Sequence, residues 1–353
     1  MITIKTTDLK EFIRLAKGVT RNSIIPVLQY VMCRCVGDTM TLCKSNQETV
    51  VSHDISAEFD ENISFLVDDK TLTAFVATAE DEVSIRLNGN KVTLISGSVT
   101  IDTFYPNGGE KDYPDPPTAV SDTSYLLNRH VLKSIAVAGT YLSALDNNPL
   151  SFCYILPAED RSVIVGTDAH ILYLTEIAIS LPNIVLSKEA TVLVGAFDKL
   201  QYFSYQNYNV FNAGKTTYAF IKPTYTALPY KRVLDSATSP GRMTVNRKDI
   251  IRFCEAALGV STCKWTIGTL SNSDDGLTLG YYEESVSLSN VITAEKNFVP
   301  AVFNFNTRLL LHVFKSLPGE YLSLQPGERA NGTMYFVRSE QEASTVALIN
   351  GLV

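Results

Sequence analysis

Ile2-Thr3-Ile4-Lys5-Thr6-Thr7-Asp8-Leu9 opens the chain as an alternating strand that runs into an apolar helical stripe, continuing through Phe12, Ile13 and Ala16. The pattern returns twice. Tyr125-Leu126-Leu127-Asn128-Arg129-His130-Val131 leads to Ile135 and Ala138, and Met243-Thr244-Val245-Asn246-Arg247-Lys248-Asp249-Ile250 leads to Phe253, Cys254 and Ala257. In each copy a Thr or Asn ends the strand, where its side-chain oxygen can accept from the first free N–H groups of a helix. Apolar residues then recur at the spacing of one helix face. Leu9, Val131 and Ile250 fall about a third of the 353-residue chain apart, which reads as a threefold internal repeat.

A second element recurs as a strand, a short polar turn and another strand. It runs from Leu42 to Val51, returns from Ile164 to Leu172, and appears more loosely from Leu277 to Glu283. Each third also offers a second helix, expected at Asp68–Thr78, Gly195–Phe203 and Asn306–Lys315. Asn88-Gly89 between Val83 and Leu94 marks a hairpin. The Pro- and Gly-rich stretches Pro106–Pro117 and Leu234–Gly241 read as connectors. The expected architecture is α+β, with domains over 1–120, 121–238 and 239–353, each placing two helices on antiparallel sheets.

Composition narrows the function classes. With 45% hydrophobic and 19% charged residues the chain can bury several cores, and no run approaches 18 consecutive apolar residues. The start lacks the apolar core of a signal peptide, so a soluble, cytoplasmic protein without a membrane role is expected. Cys33, Cys35, Cys43, Cys153, Cys254 and Cys263 form no CxxC pair and read as buried thiols of a reducing compartment. His53, His130, His170 and His312 stand apart from them, so no metal or other cofactor is expected.

Catalytic motifs are missing as well: there is no GxSxG, HExxH, Walker loop or GxGxxG. The acidic groups Glu80-Asp81-Glu82, Asp274-Asp275 and Glu283-Glu284 fall at expected turns, where solvated charge explains them. Thr167-Asp168-Ala169-His170 is the one spot with a chemical look. No nucleophile is placed beside Asp168 and His170, which leaves a hydrolase the least favoured reading.

Charge is unevenly spread. The net charge is −7, yet the helix windows are mostly basic. Lys5, Lys10, Arg14, Lys17 and Arg21 oppose Asp8 and Glu11; Arg129 and Lys133 stand in the second copy, and Arg247, Lys248 and Arg252 in the third. Such helices against an acidic background suit a surface that meets phosphates without reading bases. Lys10, Arg14, Lys17, Arg21, Arg129, Lys133, Arg247, Lys248 and Arg252 are the candidate phosphate contacts.

These features together resemble the bacterial sliding clamp, the β subunit of DNA polymerase III. Arg21–Leu28 is similar to the family's first-domain stretch ending Leu-Pro-Ile-Leu. Val165–Leu172 resembles its Ala-Thr-Asp-Gly-His-Arg-Leu, and Leu228–Leu234 its Phe-Pro-Asp-Tyr-Arg-Arg-Val-Leu. The resemblance implies a head-to-tail homodimeric ring around double-stranded DNA, held without sequence preference, which tethers a replicative polymerase subunit and a clamp loader and catalyses nothing. It also implies a pocket for partner peptides, carried here by Leu150, Thr167, His170, Leu172, Arg232, Val233, Leu348 and Ile349. The sequence departs from the family at Ala169, where Gly is usual, at Ile171, where Arg is usual and a polar rim group would be lost, and in the Ala347–Val353 tail. A clamp-like protein that binds a protein partner without encircling DNA is the alternative.

Overall fold

The computed structural model describes residues 1–19, 24–117, 123–145, 148–225, 228–236, 239, 241–274, 276–297, 302–329, 332–342 and 344–351. The first third contains strands β1 (Ile2–Lys5), β2 (Tyr30–Val36), β3 (Thr39–Ser45), β4 (Thr49–Glu58), β5 (Ile63–Asp68), β6 (Glu82–Asn88), β7 (Lys91–Ser96) and β8 (Val99–Phe104). The middle third contains β9 (Tyr125–Asn128), β10 (Phe152–Ala158), β11 (Arg161–Thr167), β12 (Ile171–Ile177), β13 (Ile184–Ser187), β14 (Lys199–Tyr205), β15 (Tyr208–Ala213) and β16 (Thr216–Ile221). The last third contains β17 (Met243–Asn246), β18 (Ile267–Ser273), β19 (Gly276–Glu283), β20 (Val286–Ile292), β21 (Ala294–Lys296), β22 (Phe303–Asn306), β23 (Tyr321–Arg329), β24 (Gly332–Ser339) and β25 (Thr345–Asn350).

Six helices follow short strands directly: α1 (Thr6–Ala16), α2 (Asp69–Thr78), α4 (Arg129–Gly139), α5 (Lys188–Gly195), α7 (Arg247–Val260) and α8 (Thr307–Ser316); the single turns α3 (Gly109–Asp112) and α6 (Tyr230–Leu234) lie within the first connector and immediately before the second. The junction residue caps most of them. Asp68, Asn128, Ser187, Asn246 and Asn306 each accept a backbone N–H of the first turn at 2.8–3.3 Å. The first copy differs from expectation. Its cap position is Lys5, without a side-chain bond, and Thr6 N–H donates instead to the Asp81 carbonyl at 3.0 Å.

Two compact units emerge: residues 1–132 with 196–223, and residues 133–195 with 224–353. The first holds a 12-stranded sheet in the order β8-β7-β6-β1-β4-β16-β15-β14-β9, from which β3, β2 and β5 branch. Its core packs Leu9, Phe12 and Ala16 of α1 and Leu72, Phe75 and Val76 of α2 on Ile4, Val31, Cys33 and Phe65. The second holds a nine-stranded sheet, β13-β10-β11-β12-β25-β24-β23-β17-β21, and a four-stranded sheet, β20-β19-β18-β22. There α7 and α8 bury Ile250, Phe253, Leu310, Val313 and Phe314. Burial of this apolar area, at about 25 cal/mol per Å², is what holds each helix to its sheet.

Three expectations need correction. The second helix of the middle third is Lys188–Gly195, and Leu200, Tyr202 and Phe203 belong to β14, where Leu200 and Tyr202 are buried on one face and Phe203 on the other. Leu277–Glu283 is one continuous strand rather than a turn between two. Cys263 is exposed, while the other five cysteines are buried as expected.

Candidate peptide face and basic helix surfaces

Gly166 and Thr167 end β11, and the chain reverses over three residues into β12. Asp168 Oδ1 accepts the N–H groups of both His170 and Ile171 at 2.8 Å. Thr167 Oγ1 donates to the Ile171 carbonyl at 2.6 Å and accepts Ala169 N–H at 3.1 Å. Asp168 therefore builds a turn rather than serving as a base, and His170 is an exposed corner of it. Ala169 holds φ 75°, a left-handed position that suits glycine. The chain end is tied to this turn: Asn350 N–H donates to the His170 carbonyl at 3.0 Å, and its Nδ2 to the Ala169 carbonyl at 2.7 Å.

Strand register sorts the expected pocket residues. Leu172 pairs with Leu348, and both join Val163, Val165, Leu174, Met334, Phe336 and Val346 in one apolar face. Tyr230, Val233 and Leu234 of α6 pack on it, at the helical spacing i, i+3, i+4. Leu172 and Leu348 keep only 5% and 3% of their surface exposed, so they are floor rather than opening. Val233 is half-buried beside them, and Arg232 is exposed next to it.

Ile349 does not join this set. Consecutive strand residues point to opposite faces, so it lies with Ile171 and Tyr335 on the other side of the sheet. Ile171 is 3% exposed there, and an Arg-to-Ile difference at that position bears on packing rather than on a rim. Leu150 sits half-buried in the short helical turn Pro149–Ser151, outside the apolar cluster. Gly166, Tyr230, Leu234 and Asn350 were not among the sequence candidates. The i, i+3, i+4 spacing at 230–234 was a usable signal for α6; nothing local marks Asn350.

The basic candidates divide by what already holds them. Lys10 and Arg14 on α1 and Lys17 at its C-cap are exposed and follow the spacing i, i+4, i+7 of one helix face. Arg14 is held by both oxygens of Glu11 at 2.8 and 2.6 Å, which raises the Arg14 pKa and lowers that of Glu11. Arg21 lies outside the described residues. Arg129 pairs with Asp198 at 3.1 Å. Arg247 donates to the Phe314 and Lys315 carbonyls at 2.7 and 3.1 Å, closing the C-terminus of α8. Lys10, Lys17, Lys133, Lys248 and Arg252 are exposed and make no ion pair among the described residues. These five are the cations left for an outside anion. Among the described residues no group of His, Cys, Asp or Glu is arranged to hold a metal ion, and no helix is long and apolar enough to cross a membrane.

Comparison of the fold gives a consistent result along the whole chain. A beta sliding clamp from C. crescentus matches with a TM-score of 0.90, 16% identity and coverage of 100% of this chain and 99% of that one. A DNA polymerase III subunit beta sliding clamp from Bartonella birtlesii, solved bound to griselimycin, matches at 0.89 with 16% identity, covering 100% and 99%. The DNA polymerase III subunit beta from Pseudomonas aeruginosa matches at 0.89 with 15% identity and full coverage of both chains. No protein-family model matches the sequence, and no curated protein matches it. The chain has the α+β fold of the DNA polymerase III β-subunit sliding clamps.

Proposed function

We propose that this protein is a sliding clamp: two copies close head to tail into a ring around duplex DNA, and partner peptides dock at the α6-covered face. The whole-length fold match carries this reading, because a likeness confined to one repeat would leave ring closure without support. The three recurring strand–helix junctions support domains at 1–120, 121–238 and 239–353. Exposed pairs at i, i+4, such as Lys248 and Arg252, offer charge to phosphates without aromatic or amide groups that would read bases. β8 and β20 are edge strands with exposed apolar residues, Phe104 and Val291, and pairing them across two copies would hide both edges. The protein acts by topology and tethering and performs no catalysis, within the cytoplasm where a polymerase and a loader would meet it.

Light scattering tests closure: the ring has about twice the 38.9 kDa of one chain. Retention on closed circular DNA, lost on linearisation, tests encirclement. Changing Lys10 and Lys17 to Glu should weaken retention and flatten its salt dependence, as each neutralised phosphate adds about 0.9 to the slope. A monomer at tens of micromolar that holds linear and circular DNA alike would instead indicate a clamp-like binder that does not encircle.

A further inference from the structure

The first compact unit carries a second version of the peptide face, with its chemistry changed. Two turns establish the correspondence. In 45–49, Asn46 Oδ1 accepts the N–H groups of Glu48 and Thr49 at 3.1 and 2.7 Å, Ser45 Oγ accepts that of Gln47 at 3.2 Å, and Gln47 holds φ 78°. Asp168, Thr167 and Ala169 do the same in 167–171. The strands leaving the two turns run in matched register: Val50 opposes Ser45 and Ala219 as Leu172 opposes Thr167 and Leu348.

One rung further on, the side chains part company. Leu174 stands between Val165 and Val346, and all three are apolar. At the matching rung Ser52 stands between Cys43 and Thr217. Next to it, Val163 opposite Glu176 becomes Thr41 opposite Asp54. In place of a covered apolar surface, a hollow of about 270 Å³ opens here, floored by Met32, Cys43, Ser52 and Thr217 and walled by Pro116 and Pro117. That is just below the 300–1,000 Å³ of drug-sized sites, so it has room for one side chain rather than a whole cofactor.

The charges in the hollow choose the occupant. Arg34 is already neutralised by Asp115 at 2.7 Å. Among the described residues Asp54 receives only the Thr41 hydroxyl, at 2.6 Å on Oδ1, and it is exposed at the rim. Ser52 Oγ makes no hydrogen bond among the described residues, while Thr217 Oγ1 accepts Asn212 Nδ2 at 2.9 Å and keeps its proton to donate or turn away. A carboxylate with hydroxyl acceptors below it attracts a donor-rich cation and repels phosphate. Proline rings give the flat apolar wall along which a long basic stem can lie.

We propose that this hollow is a second docking pocket, which takes a single arginine or lysine side chain carried on an extended peptide segment of a partner protein. It operates independently of the apolar face on the second unit. Saturation-transfer NMR with N-acetyl-arginine amide as the probe, and N-acetyl-leucine amide beside it, tests this on the full chain. The arginine probe should receive saturation at low-millimolar concentration and the leucine probe should not. Asp54→Asn, at an exposed position that leaves the fold intact, should weaken the arginine probe about tenfold. Ser52→Leu, which restores the apolar rung of the other face, should abolish its binding while circular dichroism stays unchanged. The proposal is overturned if the arginine probe shows no transfer, if it binds Asp54→Asn as well as the parent, or if the leucine probe binds equally.

Discussion

Adding one methyl group at Gly166 should separate a helix from the strand that bears the candidate peptide face. A Cβ there would lie 2.2 Å from the Ala138 carbonyl oxygen, 2.9 Å from its carbon and 3.1 Å from its Cα. All three are backbone atoms at the end of α4, so no side-chain rotation relieves the clash. Restoring ordinary contact requires roughly 1 Å of movement between α4 and β11, and overpacking of a tight core costs about 1–3 kcal/mol, more when backbone must yield. Gly166→Ala therefore belongs at the upper end, about 3 kcal/mol. Against a native stability of about 5–15 kcal/mol that is a large fraction. Gly259 near the end of α7 is the internal control. Nothing lies within 4 Å of its added Cβ, so Gly259→Ala should be neutral or stabilise by up to about 1 kcal/mol. Urea unfolding followed by far-ultraviolet circular dichroism reads both midpoints. Thr167 follows Gly166 directly, so the Gly166 variant should also lose affinity for polymerase-derived peptides. Equal midpoints for the two variants would refute the close approach of α4 to β11 as a constraint on the site.

Ala169→Gly should stabilise the protein by about 0.5–1 kcal/mol, since release of left-handed strain exceeds the entropy glycine adds to the unfolded chain; a lower urea midpoint would speak against strain in that turn. Val233→Asp should weaken peptide binding about tenfold or more in a fluorescence-anisotropy titration while the protein stays folded, because Val233 is half-buried. Leu172→Asp, with its charge placed in the apolar face, should unfold the second unit, so peptide loss there with an intact fold would contradict the packing described. His53 and His312 have their pKa values lowered, chiefly by burial. The unfolded chain then binds more protons than the folded one as pH falls below about 6.5, so stability holds above that value and declines beneath it. Replacing both by Gln should flatten the decline between pH 6.5 and 5, and an unchanged slope would assign it to other groups.

The repeats were legible because their signals are local. A strand of four residues followed by a capping oxygen and an apolar stripe can be read without knowing any partner strand, and α2, α4, α7 and α8 begin within a residue or so of the expected places. The errors arose where local signals are ambiguous. Gly195 ends α5 as helix-terminal glycines commonly do, and the apolar residues beyond it, Leu200 and Phe203, stand at a spacing that fits a helix as well as the strand they form. Thr6 looks like a cap in sequence, yet it is the first helical residue: Lys5 holds the cap position, and the N–H of Thr6 itself donates to the Asp81 carbonyl from across the unit.

The site was less legible because its composition is decided by cross-strand register, which spacing along one segment does not contain. Leu172 and Leu348 stand 176 positions apart in the chain and become neighbours only when β12 pairs with β25. The family resemblance grouped Leu172 with Leu348 and Ile349 in one pocket, but the register puts Ile349 on the other face. For the polar hollow, no comparable motif exists. Cys43, Ser52 and Thr217 are three unremarkable residues on three strands, and they acquire meaning only as the rung that holds Val165, Leu174 and Val346 elsewhere in the same chain. A repeat protein with conserved turns and divergent rungs keeps one backbone lattice while giving each copy different chemistry. The apolar rung packs against α6, through Tyr230, Val233 and Leu234. The hydroxyl rung gains little from burial, because a covering helix would strip water from Ser52 and Asp54 without replacing it. An open hollow in the first unit and a covered face in the second are thus two outcomes of one fold, set by three side chains.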